Sequence, residues 1–288
     1  MRSNLDVIDD YQAGGRFVAT PGRNVFLRDE GSGSPVLFLH GIPTYSYLWR
    51  DVTAEVSLRN RTLAPDLPGF GLSEKRHDWD YSVSAQADTI HSLLLQLEID
   101  RLAIVCHDFG ALVACELISR APQLFTHVVI LNTSLRERSW SGGPSPLSLL
   151  RIPLVGNLAM AFSQQWMLTR AMRIYVNRDE RLTPDVMAHY WWPFEHGYKE
   201  TLLSMSRQRA AVAGDFERWR AALAGLSVPT LIVWGANDPT FTGHEARDLH
   251  GLIPGSQLKL FENANHFIQE DRPTATGRLI NTFLDEAL

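Results

Sequence analysis

Four apolar runs set the terms of the fold. PVLFLH (35–40), RLAIVCH (101–107), HVVILN (127–132) and PTLIVWG (229–235) proceed almost without polar interruption. A strand with one wet face alternates apolar and polar residues, whereas a strand covered on both faces reads as a continuous run. Between the runs lie stretches with apolar residues at helical spacing. Ser82 to Ile99 carries Ile90, Leu93, Leu94 and Leu97, and Phe109 to Arg120 is stopped by Pro122. RFVAT, NVFLRDE, RTLAPD and QLKLFEN supply the remaining strands, a helix is expected near 245–252, and a last one starts at Pro273. Strands alternating with helices predict an α/β protein: a mostly parallel, eight-stranded sheet with helices on both faces.

One stretch breaks that rhythm. From 138 to 214 the chain holds LAMAFSQQWMLTRAMRIYV and PDVMAHYWWPF, helical in spacing and rich in aromatics. It reads as a helical cap inserted into a core made of 1–137 and 215–288. Such an insertion lies over the C-terminal ends of the strands, where open α/β sheets bind ligands.

The bulk properties narrow the partners. A formal charge of -5 and a pI near 6.1 argue against nucleic acid or an anionic membrane as a main partner. The start, MRSNLDVIDDYQ, has no basic and apolar leader pattern, and no apolar run reaches the roughly 18 residues of a membrane span. The expectation is a soluble cytoplasmic protein acting on a small molecule and water, with oligomeric state left open. Cys106 and Cys115 lie on a strand and the helix after it, and read as small buried residues rather than a disulfide or metal pair. No cluster has metal-ligand spacing, so no metal or organic cofactor is expected.

The chemistry concentrates at one junction. In Val105-Cys106-His107-Asp108-Phe109-Gly110 a buried strand runs directly into a helix, with small residues two positions either side of Asp108. That is the pattern of a nucleophile elbow, which needs small flanking residues because neighbouring backbone approaches closely. The helix N-terminus keeps the carboxylate ionised. Taken alone, Asp108 is better read as a helix N-cap. Its company changes the weighing. Asp238 follows one strand in WGANDPTF, and His266 follows the next in ENANHFIQED. Nucleophile, acid and base then occur in the order Asp108, Asp238, His266, each at a strand's C-terminal end. The loop His40-Gly41-Ile42-Pro43 offers the backbone N–H of Ile42 to an oxyanion hole, whose second N–H comes from Phe109.

Together these segments resemble the α/β-hydrolase superfamily, and within it the haloalkane dehalogenase and epoxide hydrolase branch. HGIPTYSYLWR, APDLPGFGLSEK, VCHDFGALVA, VWGANDP and HFIQEDRP match that branch in order, and HYWWPF followed by KETLLSMSRQ leans toward a dehalogenase. The resemblance implies the α/β-hydrolase fold and a two-step reaction. Asp108 attacks saturated carbon to form an alkyl ester, and His266, oriented by Asp238, activates the water that hydrolyses it. Dehalogenases place a Trp after the nucleophile to bind the halide, and this chain has Phe109. Trp166 is a candidate for a second, cap-borne donor. Epoxide hydrolases protonate the opening oxygen with cap tyrosines, one of them usually just before an Arg, where this chain has Ser204-Met205-Ser206-Arg207. For Tyr175, Tyr190, Trp191, Trp192 and Tyr198, core packing, a pocket wall and leaving-group donation are all open readings. A non-catalytic binder on the same fold is the third reading, and it has no need of a complete triad.

Overall fold

A computed structural model of the chain describes residues 4–141, 150–208 and 215–286. Eight strands form one sheet: β1 (Arg16–Thr20), β2 (Arg23–Glu30), β3 (Pro35–Leu39), β4 (Arg61–Pro65), β5 (Leu102–His107), β6 (Phe125–Leu131), β7 (Thr230–Gly235) and β8 (Gln257–Phe261). Their spatial order is β1-β2-β4-β3-β5-β6-β7-β8, and only β2 runs antiparallel to its neighbours. Every residue of β5 and β7 is buried, as the uninterrupted runs require.

Each central strand feeds two cores. Ile104 and Cys106 of β5 face a cluster built with the helices Val83–Gln96, Phe109–Arg120 and Asp215–Ala224. Ala103 and Val105 face the opposite cluster, under Arg50–Val56 and Pro273–Glu286. The two-residue alternation of strand side chains thus serves two apolar layers. The helix Val83–Gln96 starts where Ser82 can cap it: its Oγ accepts the N–H of Ala85 at 3.2 Å.

The sequence reading began with strands, but a helix, Asn4–Ala13, precedes them. Ile8 is buried, and Tyr11 lies with its hydroxyl 2.9 Å from Ser46 Oγ and its ring beneath Arg28. This helix packs on the cap helix Pro184–Pro193.

The cap contributes the helices Pro153–Ala161, Gln165–Tyr175, Pro184–Pro193 and Lys199–Gln208. A buried ionic knot ties it down. Glu270 takes both Arg50 nitrogens, at 2.6 and 2.8 Å, and the Tyr190 hydroxyl at 2.5 Å. The expected C-terminal edge of the cap, residue 214, lies outside the described residues. Asp215–Ala224 packs on Phe109–Arg120, where Trp219 Nε1 donates to Glu116 at 2.6 Å.

Candidate active site

A single residue links β5 to the helix Phe109–Arg120. That residue is Asp108, at φ 52 and ψ −121. A non-glycine residue there stores on the order of 1–3 kcal/mol of strain. The surroundings hold it in place. Asp108 N–H donates to Asn132 O at 3.2 Å, and Thr133 Oγ1 donates to Asp108 O at 2.9 Å. A Cβ on Gly110 would stand 2.5 Å from the carbonyl oxygens of Leu39 and His40, so only glycine lets the helix pass so close to β3. Cys106 sits where that branch more often has glycine, and its small thiol reaches Val129 O at 3.5 Å.

Asp108 occupies the N-cap position without capping its helix through its side chain. The carboxylate is turned instead toward the 40–43 loop, where Oδ1 accepts the N–H of Ile42 at 2.8 Å. His40 holds that loop: Nδ1–H donates to Gly41 O at 3.1 Å, and Nε2 accepts from Leu67 N–H at 2.9 Å. Burial takes the His40 pKa down to about 4, so it stays neutral and structural.

Opposite Asp108 stands His266, buried at 5% exposure. Its Nδ1 lies 2.8 Å from Asp238 Oδ2, and its Nε2 lies 3.9 Å from Asp108 Oδ2. Asp238 is saturated with donors: Asn132 Nδ2 at 2.8 Å, and the backbone N–H groups of Thr240 and Phe241 at 2.8 and 3.0 Å. Facing these donors, the Asp238 oxygens serve as acceptors, toward His266 as well. The imidazole proton therefore sits on Nδ1, and the Nε2 lone pair faces Asp108. Burial pulls the His266 pKa down, but the Asp238 charge and hydrogen bond, with the Asp108 charge, outweigh it and leave the value raised above 6.5. His107 lies alongside, with ring centroids 4.7 Å apart, and its Nε2–H donates to His266 O at 3.0 Å. Burial pushes the His107 pKa well below 6.5, so it braces His266 as a neutral ring.

Asn132 escaped the sequence reading. It joins two of the candidate residues: its carbonyl takes the Asp108 N–H, its Nδ2 serves Asp238, and its Oδ1 accepts from Gly235 N–H at 3.0 Å. The available signal was its place, a polar residue closing the apolar run HVVILN at a strand's C-terminal end.

A cavity of about 460 Å³ meets this constellation at Ile42 and Phe109. Leu112, Leu202, Met205 and Phe216 form apolar wall, and Ser206 and Gln208 add polar groups. Its size suits a small organic molecule. None of the six cap aromatics expected from sequence is among the described residues that line it. Trp166 is 66% exposed on the first turn of its helix, facing solvent rather than the site. The Tyr190 hydroxyl is committed to Glu270. Trp191 stacks on Phe194 and Trp192 on His196, while Tyr198 packs between Phe70 and Phe194. Tyr175 comes nearest the chemistry: its ring lies edge-on to His266 at 5.6 Å, and its hydroxyl accepts from Thr240 Oγ1 at 3.3 Å. The burial of Tyr190, Trp191 and Tyr198 follows from aromatic packing, which composition alone cannot separate from a pocket wall.

Residues 34–273 match the family described as alpha/beta hydrolase fold. The chain is 30% identical to a haloalkane dehalogenase of Mycolicibacterium paratuberculosis, across 97% of this chain and 95% of that protein. It is 27% identical to a cis-3-alkyl-4-alkyloxetan-2-one decarboxylase of Shewanella oneidensis, across 94% of this chain and 88% of that one. Among solved structures, the haloalkane dehalogenase of Bradyrhizobium elkani superimposes with a TM-score of 0.85 at 27% identity, covering 95% of this chain and 98% of the other. Relatives of comparable likeness bear different names, so the choice of bond rests on the site's own chemistry. Fold, strand order and these relatives agree: the chain belongs to the alpha/beta hydrolase fold family and is an enzyme, with haloalkane dehalogenases among its structural neighbours.

Proposed function

We propose that the chain is a haloalkane-dehalogenase-like hydrolase that works through an alkyl ester on Asp108. One observation carries this reading. The two carboxylate oxygens of Asp108 have different environments: Oδ1 accepts the Ile42 N–H at 2.8 Å, and Oδ2 lies 3.9 Å from His266 Nε2. In the first step Oδ2 attacks the halogen-bearing carbon from behind, the carbon–halogen bond breaks, and the halide leaves with the electron pair. In the second, His266 Nε2 takes a proton from a water whose oxygen adds to Asp108 Cγ. Charge then develops on Oδ1, where the N–H of Ile42 already points and the N–H of Phe109 can join it. The alkoxide departs with the proton held by His266, and the remaining acid proton passes to solvent.

The electrostatics favour that order of events. Part of the upward pull on His266 comes from the Asp108 charge. Esterification removes this charge, so the imidazole pKa falls at the step that needs a neutral base.

A halide can leave as a free anion, whereas the oxygen of an opened epoxide must be protonated. Among the described cavity residues, the Tyr81 hydroxyl donates to Arg76 O at 2.7 Å and Ser82 Oγ donates to Asp80 Oδ2 at 3.0 Å. No cap tyrosine replaces them there, which favours the halide reading over the epoxide one. With Phe109 in place of an indole donor and Trp166 in solvent, the leaving group receives little help. Iodo- and bromoalkanes should therefore react ahead of chloroalkanes.

The deciding test is His266→Phe with panels of haloalkanes and epoxides, read by intact mass. A stable alkyl adduct on Asp108 from haloalkanes supports the proposal. Adducts from epoxides alone would replace it, and the absence of any adduct would remove Asp108 as nucleophile.

A further inference from the structure

The two outer cap helices carry an apolar face open to solvent. Leu154, Leu158 and Phe162 recur at four-residue spacing along and just past Pro153–Ala161, so they form one stripe, and Leu154 and Phe162 are 72% and 73% exposed. After the short connection Ser163-Gln164, the helix Gln165–Tyr175 opens with Trp166 and Met167 and carries Ile174 two turns on, all exposed. The opposite face of Pro153–Ala161 is fixed. Gly156 is buried with its Cα so close to Leu150 that a Cβ would stand 2.5 Å from the Leu150 carbonyl oxygen, and Arg207 donates to Asn157 Oδ1 at 2.7 Å. The apolar stripe is thus held outward by the fold.

Its charge says what it meets. From Leu150 to Val176 the chain has Arg151, Arg170 and Arg173 and no acidic residue, within a protein of net charge -5. Arg170 lies one helical turn from both Trp166 and Ile174. Arg173 reaches an acid only at 4.0 Å, Asp179 beyond the helix. A second copy docked face to face would offer Arg170 and Arg173 a stretch with no acidic residue, so their charges would gain no counter-charge from the pairing. Leucine, phenylalanine and tryptophan flanked by arginine, without acids, is the chemistry of a helix that lies in a lipid headgroup layer.

We propose that this cap face is a docking surface for an anionic lipid bilayer. No described helix is long and apolar enough to cross a membrane, so the contact is peripheral. The whole-chain charge that argues against such a partner is an average, whereas Arg170 and Arg173 lie within one turn of the same helix here. The docked helix is held by Arg207 of Lys199–Gln208, the helix that lines the cavity with Leu202 and Met205. Apolar molecules dissolved in the bilayer would thus lie one helix away from the cavity.

The full chain is tested by co-sedimentation with vesicles of phosphatidylglycerol mixed with phosphatidylcholine, and with phosphatidylcholine alone. The wild type should sediment with the anionic vesicles, less with neutral ones, and less again in high salt. The pair Phe162→Ser with Trp166→Ser, and separately Arg170→Glu with Arg173→Glu, should each lower partition by about tenfold or more. Unchanged melting curves would show that the loss belongs to the face, and the arginine pair keeps the test decisive should the apolar pair unfold. A second readout is Phe162→Cys carrying an environment-sensitive dye, since Cys106 and Cys115 are buried. A blue shift with anionic vesicles is expected. The proposal is overturned by a wild type that stays in the supernatant, or by variants that sediment as it does. It is also overturned by a lipid-independent dimer that Trp166→Ser dissolves, which would give the face to a second copy.

Discussion

The elbow at Asp108 and the outer cap helices are both aromatic and apolar, yet they obey different constraints. At the elbow the geometry is over-determined. Asp108 is held through its backbone by Asn132 and Thr133 and through its side chain by Ile42, and glycines at 41 and 110 admit no added atom. On the outer cap, Trp166 and Phe162 face solvent, and Pro153–Ala161 buries only Gly156. Residue identity is thus informative where sterics leave one choice. Where a helix has an open side, aromatics carry no positional information.

The largest effect is expected where the elbow is relaxed. Asp108→Gly places the residue that best suits φ 52 at the junction. Haloalkane turnover should fall by on the order of 10⁴-fold or more. Stability should not fall, because relief of about 1 kcal/mol of strain offsets the lost hydrogen bond from Ile42. Halide release and a denaturant titration measure both. Retained turnover would end the nucleophile reading, and a large loss of stability would show that the elbow is not strained. Gly41→Ala strikes from the other side, with a Cβ 2.4 Å from both Cβ and Oδ1 of Asp108. Displacing the carboxylate should lower kcat by on the order of 10²-fold, with any effect on KM smaller.

The same contrast explains what could be read from sequence. The four central strands were legible because burial on both faces forces continuous apolar runs, and Asp108 and Asp238 because each follows such a run, whereas His266 follows QLKLFEN, a strand only partly buried. The helix Asn4–Ala13 was not, since its attachment depends on Ile8 and on a Tyr11–Ser46 contact across the chain. Asn132, His40 and His107 act through partners far away in sequence, Asp238, Leu67 and His266, so their places at strand ends are legible but their roles are not. In the cap, Tyr190 and Trp166 look alike as letters. One donates to a buried carboxylate and the other points into water, a difference set by how the helices roll against the core.

The pH behaviour of His266 sharpens the elbow further. Its free-enzyme pKa is raised above 6.5, and NMR titration should show this value falling in Asp108→Asn and falling more in Asp238→Asn, following the order of their charges' effects. In the alkyl-enzyme the Asp108 charge is gone. Single-turnover ester hydrolysis should therefore rise with pH through a midpoint below the free-enzyme pKa, each unit of difference being about tenfold in neutral base. Stability carries the opposite sign. A histidine raised on folding contributes stability that is fully present below about 6.5 and is lost as pH climbs through the folded value. A midpoint that matches the free enzyme would mean the Asp108 charge is not felt.

Tyr190→Phe moves the comparison into the cap's inner face. The hydroxyl donates to Glu270, which keeps both Arg50 contacts, so about 1–2 kcal/mol of stability should be lost while kcat stays within about twofold. A collapse of turnover with intact stability would return Tyr190 to the list of donors.

The smallest effect belongs to Trp166→Ala. If this indole stabilised a departing halide, its removal would slow carbon–halogen cleavage by the two or more orders that a buried donor commands. At 66% exposure it has little protein around it to exclude water, and a hydrogen bond made in water competes with water itself. In vesicle-free buffer we therefore expect turnover within about twofold of wild type and a stability change within about 0.5 kcal/mol. The bromide-to-chloride rate ratio is the discriminating measurement, because a halide donor matters most for the poorer leaving group. An unchanged ratio leaves Trp166 outside the chemistry. A ratio that rises on truncation would show that the helix Gln165–Tyr175 turns inward during catalysis, and the division between a fixed elbow and an open cap would then hold only for the resting enzyme.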